Sequence, residues 1–125
     1  MARSILIIGE DPALIDFDAP DAPEGMSVDK IMDGLNASIE RLRAEGHAAT
    51  LLLTKDVETV EGQVNEALRD ADYDVIVIGA GLRTLPPMAL QFETLMNVLR
   101  EQAPRSQLAF NSQPGDSDVA AKRRL

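Results

Sequence analysis

The chain has 125 residues, no cysteine, one histidine and a formal net charge of −9. A domain of this size closes a core without cross-links, and the residue inventory excludes a disulfide framework, a thiolate metal centre, a cysteine nucleophile and a triad of the Ser-His-Asp type. The acids crowd the first part of the chain, 17 of them against 6 bases through Asp74, while 4 acids and 6 bases follow. The aromatic residues are Phe17, Tyr73, Phe92 and Phe110, and no basic stripe interleaves with them, which argues against nucleic-acid binding. The first apolar run is too short for a signal peptide or a membrane span and is flanked by acids, so the sequence reads as cytoplasmic, with no membrane partner.

Ser4 to Ile8 begins with a continuous apolar run (Ile5, Leu6, Ile7, Ile8) that predicts a strand buried on both faces and ending at Gly9. The connection from Gly9 to Ser27 carries Glu10, Asp11, Asp16, Asp18, Asp21 and Glu24, three prolines and no base. So long a connection in a compact domain is expected to serve a site. Leu14, Ile15 and Phe17 are placed to pin its middle to the body, as a lid or as a solvated acidic loop. Ser27 caps a predicted helix reaching about Glu45, with Asp29 in its first turn and Ile31, Leu35, Ile39 and Leu42 as the buried stripe. Gly46 ends that helix, and Ala48 to Leu53 is the second strand. A second helix from about Thr59 to Ala71 turns Val60, Val64, Ala67 and Leu68 inward.

The stretch from Tyr73 to Pro87, YDVIVIGAGLRTLPP, holds four consecutive β-branched residues, Val75 to Ile78, which predict a central strand of a parallel sheet. Gly79-Ala80-Gly81 follows as a glycine-rich turn, and Pro86-Pro87 opens a helix through about Gln102. Pro104 stops this helix, and Gln107 to Phe110 is a short fourth strand. The loop Asn111 to Asp116 leads to a last helix, capped by Asp116 or Ser117, with Lys122, Arg123 and Arg124 at its carboxyl end.

Four strands alternating with helices make a single α/β domain over residues 1–125. It is a three-layer α/β/α, doubly wound parallel sheet in order 2-1-3-4, the flavodoxin-like and Rossmann-like arrangement without its fifth strand. In that order the first and third strands are neighbours and the chain reverses between them. A site is therefore expected at their carboxyl ends, where the Gly9–Ser27, Gly79–Pro87 and Asn111–Asp116 loops meet. The backbone of Gly79, Ala80, Gly81 and Leu82, with Arg83 as the only base in these three loops, suits a carboxylate or phosphate. Gly9, Asn111 and Ser112 complete the expected site, and a small anionic molecule is the expected ligand. The competing reading makes Arg83 an ion-pair partner of Glu10 or Asp11 and gives Asn111, Ser112 and Asp116 loop and cap roles. Glu10 and Asp11 are the candidates for a metal, with Mg²⁺ possible if a third carboxylate joins them. His47 falls at the opposite end of the sheet.

Among cofactors, DVIVIGAG resembles the opening of the dinucleotide-binding fingerprint. Thr84 stands where that fingerprint needs a third glycine, and the next strand ends at Phe110-Asn111 instead of in an acid, so classical FAD and NAD are disfavoured. Glu10-Asp11 resembles the acidic pair of response-regulator receivers, yet the third strand ends in Gly79-Ala80-Gly81 and not in a phospho-accepting Asp. The acidic GEDPAL after the first strand would repel the phosphate of FMN, which is disfavoured too. As a set, YDVIVIGAGLR, the proline pair and FNSQPGD resemble a small family of uncharacterised bacterial Rossmann-like, flavodoxin-like proteins. The resemblance implies the fold and the weight of those loops, and it brings no activity with it.

Three functional readings follow: a module binding a small anionic ligand through the 79–85 turn and Arg83, a Mg²⁺-assisted phosphoryl-transfer or hydrolytic enzyme using Glu10 and Asp11, and an interaction protein whose crevice is sealed. The helix from Pro87 to Gln102 carries Leu90, Phe92, Leu95, Met96, Val98 and Leu99 on more than one side, which predicts a homodimer.

Overall fold

The computed structural model describes residues 2–20, 22, 24–69 and 71–125. Asp21 and Pro23 of the acidic connection, and Asp70 near the expected end of the second helix, lie outside the described residues. Strands β1 (Ser4–Glu10), β2 (Ala48–Thr54), β3 (Val75–Ile78) and β4 (Gln107–Phe110) form one parallel sheet in the order β2-β1-β3-β4, as the sequence predicts. The apolar runs explain the arrangement. Ile5 to Ile8 and Val75 to Ile78 are fully buried, so the two central strands have no face for water and need helices on both sides.

The alternation of side chains divides the core into two layers. Ile5, Ile7, Val75 and Val77 pack with Ile31, Leu35, Ile39 and Leu42 of α1 (Val28–Ala44) and Ala120 and Ala121 of α5 (Ser117–Lys122). Leu6, Ile8, Ile76 and Ile78 pack on the other face, with Val60 and Val64 of α2 (Val60–Arg69), Leu82 of α3 (Ala80–Thr84) and Leu95, Val98 and Leu99 of α4 (Ala89–Gln102). The face changes because right-handed crossovers must swap sides when the strand order reverses. That reversal falls between β1 and β3 and opens a crevice at their carboxyl ends.

Several local expectations are corrected. β1 continues to Glu10 and β2 to Thr54, whose residues pair in register, and the Asp11 N–H donates to the Thr54 carbonyl at 2.9 Å. Glu10 is thus a strand residue, not a loop residue. The segment after β3 is no open turn: Ala80 to Thr84 is a short helix, and neither Gly79 nor Gly81 has a positive φ. Gly79 is instead required by close approach, since a Cβ there would lie 3.2 Å from the Ile8 carbonyl oxygen and 3.4 Å from the Gly9 Cα. The proline pair sits in a 3₁₀ turn, Pro86–Met88, and α4 begins after it, at Ala89. On α4, Leu90 stands 58% exposed while Phe92 and Met96 pack against the core. In the acidic connection Ile15, Phe17 and Met26 pack against the α1 layer, but Leu14 faces outward.

One contact fixes the position of the loop after β4. The α1 backbone at Gly34 approaches it so closely that a Cβ would lie 2.9 Å from both the Gly115 nitrogen and the Pro114 Cβ. From the next turns of the same helix, the Ser38 hydroxyl donates to the Pro114 carbonyl at 3.0 Å and Arg41 donates to the Gly115 carbonyl at 2.6 Å. Arg41 also pairs with the buried Asp118 at 2.9 Å. The loop is therefore locked to the helix that faces it across the crevice.

Candidate functional site

A pocket of about 310 Å³ occupies the carboxyl ends of β1 and β3. Ile31 and Leu35 of α1, with Ile15 and Met26 of the acidic connection, form its apolar side. Gly9, Gly79, Ala80 and Gly81 form its floor, Thr84 and Leu85 its other side, and the Asn111 to Pro114 segment closes one end. The acidic connection is thus a wall of the pocket, held there by the same side chains that anchor it to the core.

Among the described residues, Glu10 is the one ionisable side chain lining this space. It follows Leu6 and Ile8 in the alternation of β1, so its direction is set by the sheet and not by a loop. Its Oε2 is buried and has no hydrogen-bond partner among the described residues. A Cβ built at Gly81 would lie 3.8 Å from the same oxygen. Burial raises the Glu10 pKa above its ordinary value, and the adjacent Asp11 charge adds to the rise.

Asn111, Ser112 and Thr84 at the pocket are engaged within the protein. The Asn111 carboxamide accepts from the Ala80 N–H at 2.8 Å and donates to the Ser117 hydroxyl at 2.9 Å, tying α3 to the start of α5. The Ser112 hydroxyl and N–H both donate to Asp116, and the Gln113 N–H donates to it at 3.2 Å. Burial alone would raise the Asp116 pKa, but these hydrogen bonds and the Arg123 charge outweigh it and hold the carboxylate below its ordinary range. Asp116 thus reaches back into its own loop; it does not cap α5. The Thr84 hydroxyl donates to the Ala80 carbonyl at 2.8 Å.

Of the expected site residues, Gly9, Gly79, Ala80, Gly81, Asn111 and Ser112 line the pocket, and Leu82 and Arg83 do not. Leu82 is 1% exposed and belongs to the core under α3. Arg83 points to the edge of the sheet: its guanidinium lies over the Phe110 ring, 4.7 Å from the centroid, and donates to the Asn111 carbonyl. Burial lowers the Arg83 pKa from its ordinary value, with Asp116 acting in the opposite direction. No ion pair joins Arg83 to Glu10 or Asp11 among the described residues, so the crevice is not sealed by one. Asp11 uses its carboxylate to accept from the Ala13 N–H at 3.0 Å, capping the turn Pro12–Leu14. Among the described residues no group of three His, Cys, Asp or Glu side chains is placed to hold a metal ion, so Glu10 and Asp11 lack the third ligand that the Mg²⁺ reading needs.

Sequence reasoning assigned Ile31 and Leu35 to the core stripe alone. They do pack in the core, but α1 starts at the carboxyl end of the sheet, so its first turns also flank the crevice. Met26, Thr84, Leu85, Gln113 and Pro114 are not marked by residue type, but all five lie in the three loops expected to meet at the site. A larger hollow of about 580 Å³ lies at the opposite end of the sheet, between Arg3, Tyr73, Asp74, Arg105 and Arg124. Arg3 is paired there with Asp74 at 3.6 Å, and its N–H donates to His47. That hollow is away from the switch point, and no unpartnered buried group faces it among the described residues.

Fold and pocket together define a doubly wound α/β domain with a pocket at the topological switch point whose described lining holds one acid. No family model matches the chain, and no curated protein matches it. Among solved structures it is similar to that of a "putative lipoprotein" from Peptoclostridium difficile 630 (fragment), with 14% sequence identity and a TM-score of 0.54 over 94% of this chain and 90% of that one. This likeness is one of fold. Among the described residues no helix is long and apolar enough to cross a membrane.

Proposed function

We propose that the protein is a small-molecule-binding module whose site is the pocket at the carboxyl ends of β1 and β3. The observation that carries this reading is the pocket itself. Its volume of about 310 Å³ sits at the lower end of the roughly 300–1,000 Å³ typical of small-ligand sites, and it lies at the position where open α/β sheets take their ligands. Its walls are mostly apolar; Ile15, Met26, Ile31, Leu35 and Leu85 are pinned by core packing and the Asn111–Pro114 end by hydrogen bonds to α1 and α3, so the cavity is preformed. The ligand this favours is compact and mostly apolar. The expectation of an anion loses its main support, because Arg83 is engaged at the sheet edge and, among the described residues, the pocket lining contains Glu10 and no base.

Methyl NMR of the full chain, titrated with small apolar fragments, tests the reading. Shifts should concentrate at Ile15, Met26, Ile31, Leu35 and Leu85. The variant Gly81→Leu should abolish them without loss of melting temperature, since its Cβ would meet nothing closer than 3.8 Å while the rest of the side chain fills the pocket. Fragments that shift none of these methyls, or that shift them equally in Gly81→Leu, refute the assignment.

A further inference from the structure

We infer that the ligand of this pocket is a small organic amine, its ammonium group held by Glu10 and its apolar body lying against Ile15, Met26, Ile31, Leu35 and Leu85. The inference rests on the pocket being a binding site, and it adds the chemistry of the ligand. Glu10 Oε2 is the only buried side-chain oxygen or nitrogen without a hydrogen-bond partner among the described residues, and it belongs to the residue that lines this pocket. A buried polar atom left without a partner costs free energy, and native structures rarely retain one without a use. A ligand donor would remove that cost.

The charge of the donor follows from what surrounds it. The bases closest in sequence to the pocket residues are both committed elsewhere. Arg83 stacks on Phe110 and bonds the Asn111 carbonyl, and the Lys30 ammonium bonds the Gly25 carbonyl at 2.8 Å. Among the described residues no ion pair joins a protein cation to Glu10. The connection that walls the pocket carries Asp11, Asp16, Asp18 and Glu24 on a chain of net charge −9, so the potential at the entrance favours cations and repels carboxylates and phosphates. A neutral hydroxyl could donate to Glu10, but an ammonium donates and also carries the opposite charge, which adds a direct attraction that is strong in a shielded site. The apolar walls then restrict the ligand to an amine with a hydrocarbon body; a polyhydroxylated or zwitterionic molecule would leave polar groups facing Ile31 and Leu35.

Benzylamine, benzyl alcohol and benzoate are similar in shape and differ in charge. Each is titrated into the full-length protein at pH 7 with methyl NMR as the readout. Benzylamine should bind at least about tenfold more tightly than benzyl alcohol, and benzoate more weakly than either. In Glu10→Gln both ligands should weaken, the amine more than the alcohol, so that the preference for the amine falls to about twofold or less once the carboxylate charge is gone. Shifts of the same pocket methyls by the alcohol, even at reduced affinity, show that the variant pocket is intact. Benzoate binding as tightly as benzylamine, or an amine preference unchanged in Glu10→Gln, overturns the amine assignment and leaves the binding-module reading standing. If none of the three probes, nor any fragment of the wider titration, shifts the pocket methyls, the binding-module reading fails and this inference with it.

Discussion

Two glycines in helices meet opposite surroundings, and the same substitution should move stability in opposite directions. In a helix interior, Gly→Ala restricts the unfolded chain and improves propensity, a gain of about 0.5–1 kcal/mol where nothing interferes. Gly62 in α2 is such a place, with nothing within 4 Å of a new Cβ. At Gly34 the Cβ would fall 2.9 Å from the Gly115 nitrogen and from the Pro114 Cβ, and 3.2 Å from the Pro114 carbonyl carbon. Those neighbours are largely backbone, and they cannot retreat freely, because Ser38 and Arg41 hold the same loop by its carbonyls. Overpacking of this kind costs about 1–3 kcal/mol, and the pinned backbone places the cost in the upper part of that range. After subtracting the propensity gain, Gly34→Ala should be destabilised by about 1–2 kcal/mol. At roughly 4 °C per kcal/mol for a domain of this length, its melting temperature should fall by about 4–8 °C while that of Gly62→Ala rises by about 2–4 °C. Urea titration and thermal melts followed by circular dichroism read both. A Gly34→Ala protein as stable as Gly62→Ala would refute the close approach of α1 to the loop after β4, and with it the rigid end wall of the pocket.

Other perturbations test the remaining contacts. Arg83→Ala should cost about 1–2 kcal/mol through loss of the Phe110 stack and the carbonyl bond, while benzylamine affinity in the NMR titration changes by less than about twofold; an intact melting temperature with weakened binding would return Arg83 to the site. Asn111→Ala leaves the Ala80 N–H without its acceptor and should cost about 1–3 kcal/mol in a urea titration, and a neutral result would mean that the β4 loop and α3 are not held by that side chain. Glu10 has a pKa raised by burial above its ordinary 4.5, so the folded chain binds its proton more tightly than the unfolded chain, and stability from this group falls as pH rises from about that value through the folded one. Glu10→Gln removes the penalty: it should be more stable than the parent at pH 7, by up to about 1 kcal/mol because the carboxyl is only partly shielded, with the advantage fading toward pH 4, and a variant less stable at pH 7 would show that Glu10 has an unrecognised partner.

The sheet was legible because its signal is redundant. Ile5 to Ile8 and Val75 to Ile78 are apolar at every position, so strand identity, parallel pairing and burial on both faces follow without fixing the register, and right-handed crossovers leave only a few orders, of which 2-1-3-4 is the one found. The site was legible only as a location. Five residues of α3 are too few to show a helical period, so Gly79-Ala80-Gly81 read as a turn and Arg83 as a residue facing the same way. Successive helical side chains turn by about 100°; with Gly79 to Gly81 on the pocket and Leu82 in the core, Arg83 is carried round to Phe110. Gly34 was silent for a different reason: its requirement lies in the loop at Pro114 and Gly115, far along the chain, and nothing within α1 announces it. Glu10 was noticed as half of an acidic pair, but its meaning depends on β1 running two residues beyond Ile8, which only its pairing with β2 decides.

That extension of β1 makes Glu10 the residue whose presence the fold does least to explain. Leu6 and Ile8 precede it on the same face of the strand and are fully buried, so an apolar side chain at position 10 would continue the pattern and avoid the desolvation of a carboxylate. Asp11 beside it makes matters worse electrostatically, yet has a structural task of its own at the Ala13 N–H. Glu10 has none among the described residues. Groups that lower stability without a structural return concentrate at functional positions, where stability and activity trade against each other. The comparison of Glu10→Gln with the parent protein makes that trade measurable. One substitution should raise the melting temperature at pH 7 and remove the preference for an amine over an alcohol of the same shape. A carboxylate with a merely structural role would show neither change, and one that was simply tolerated in the pocket wall would show the first without the second.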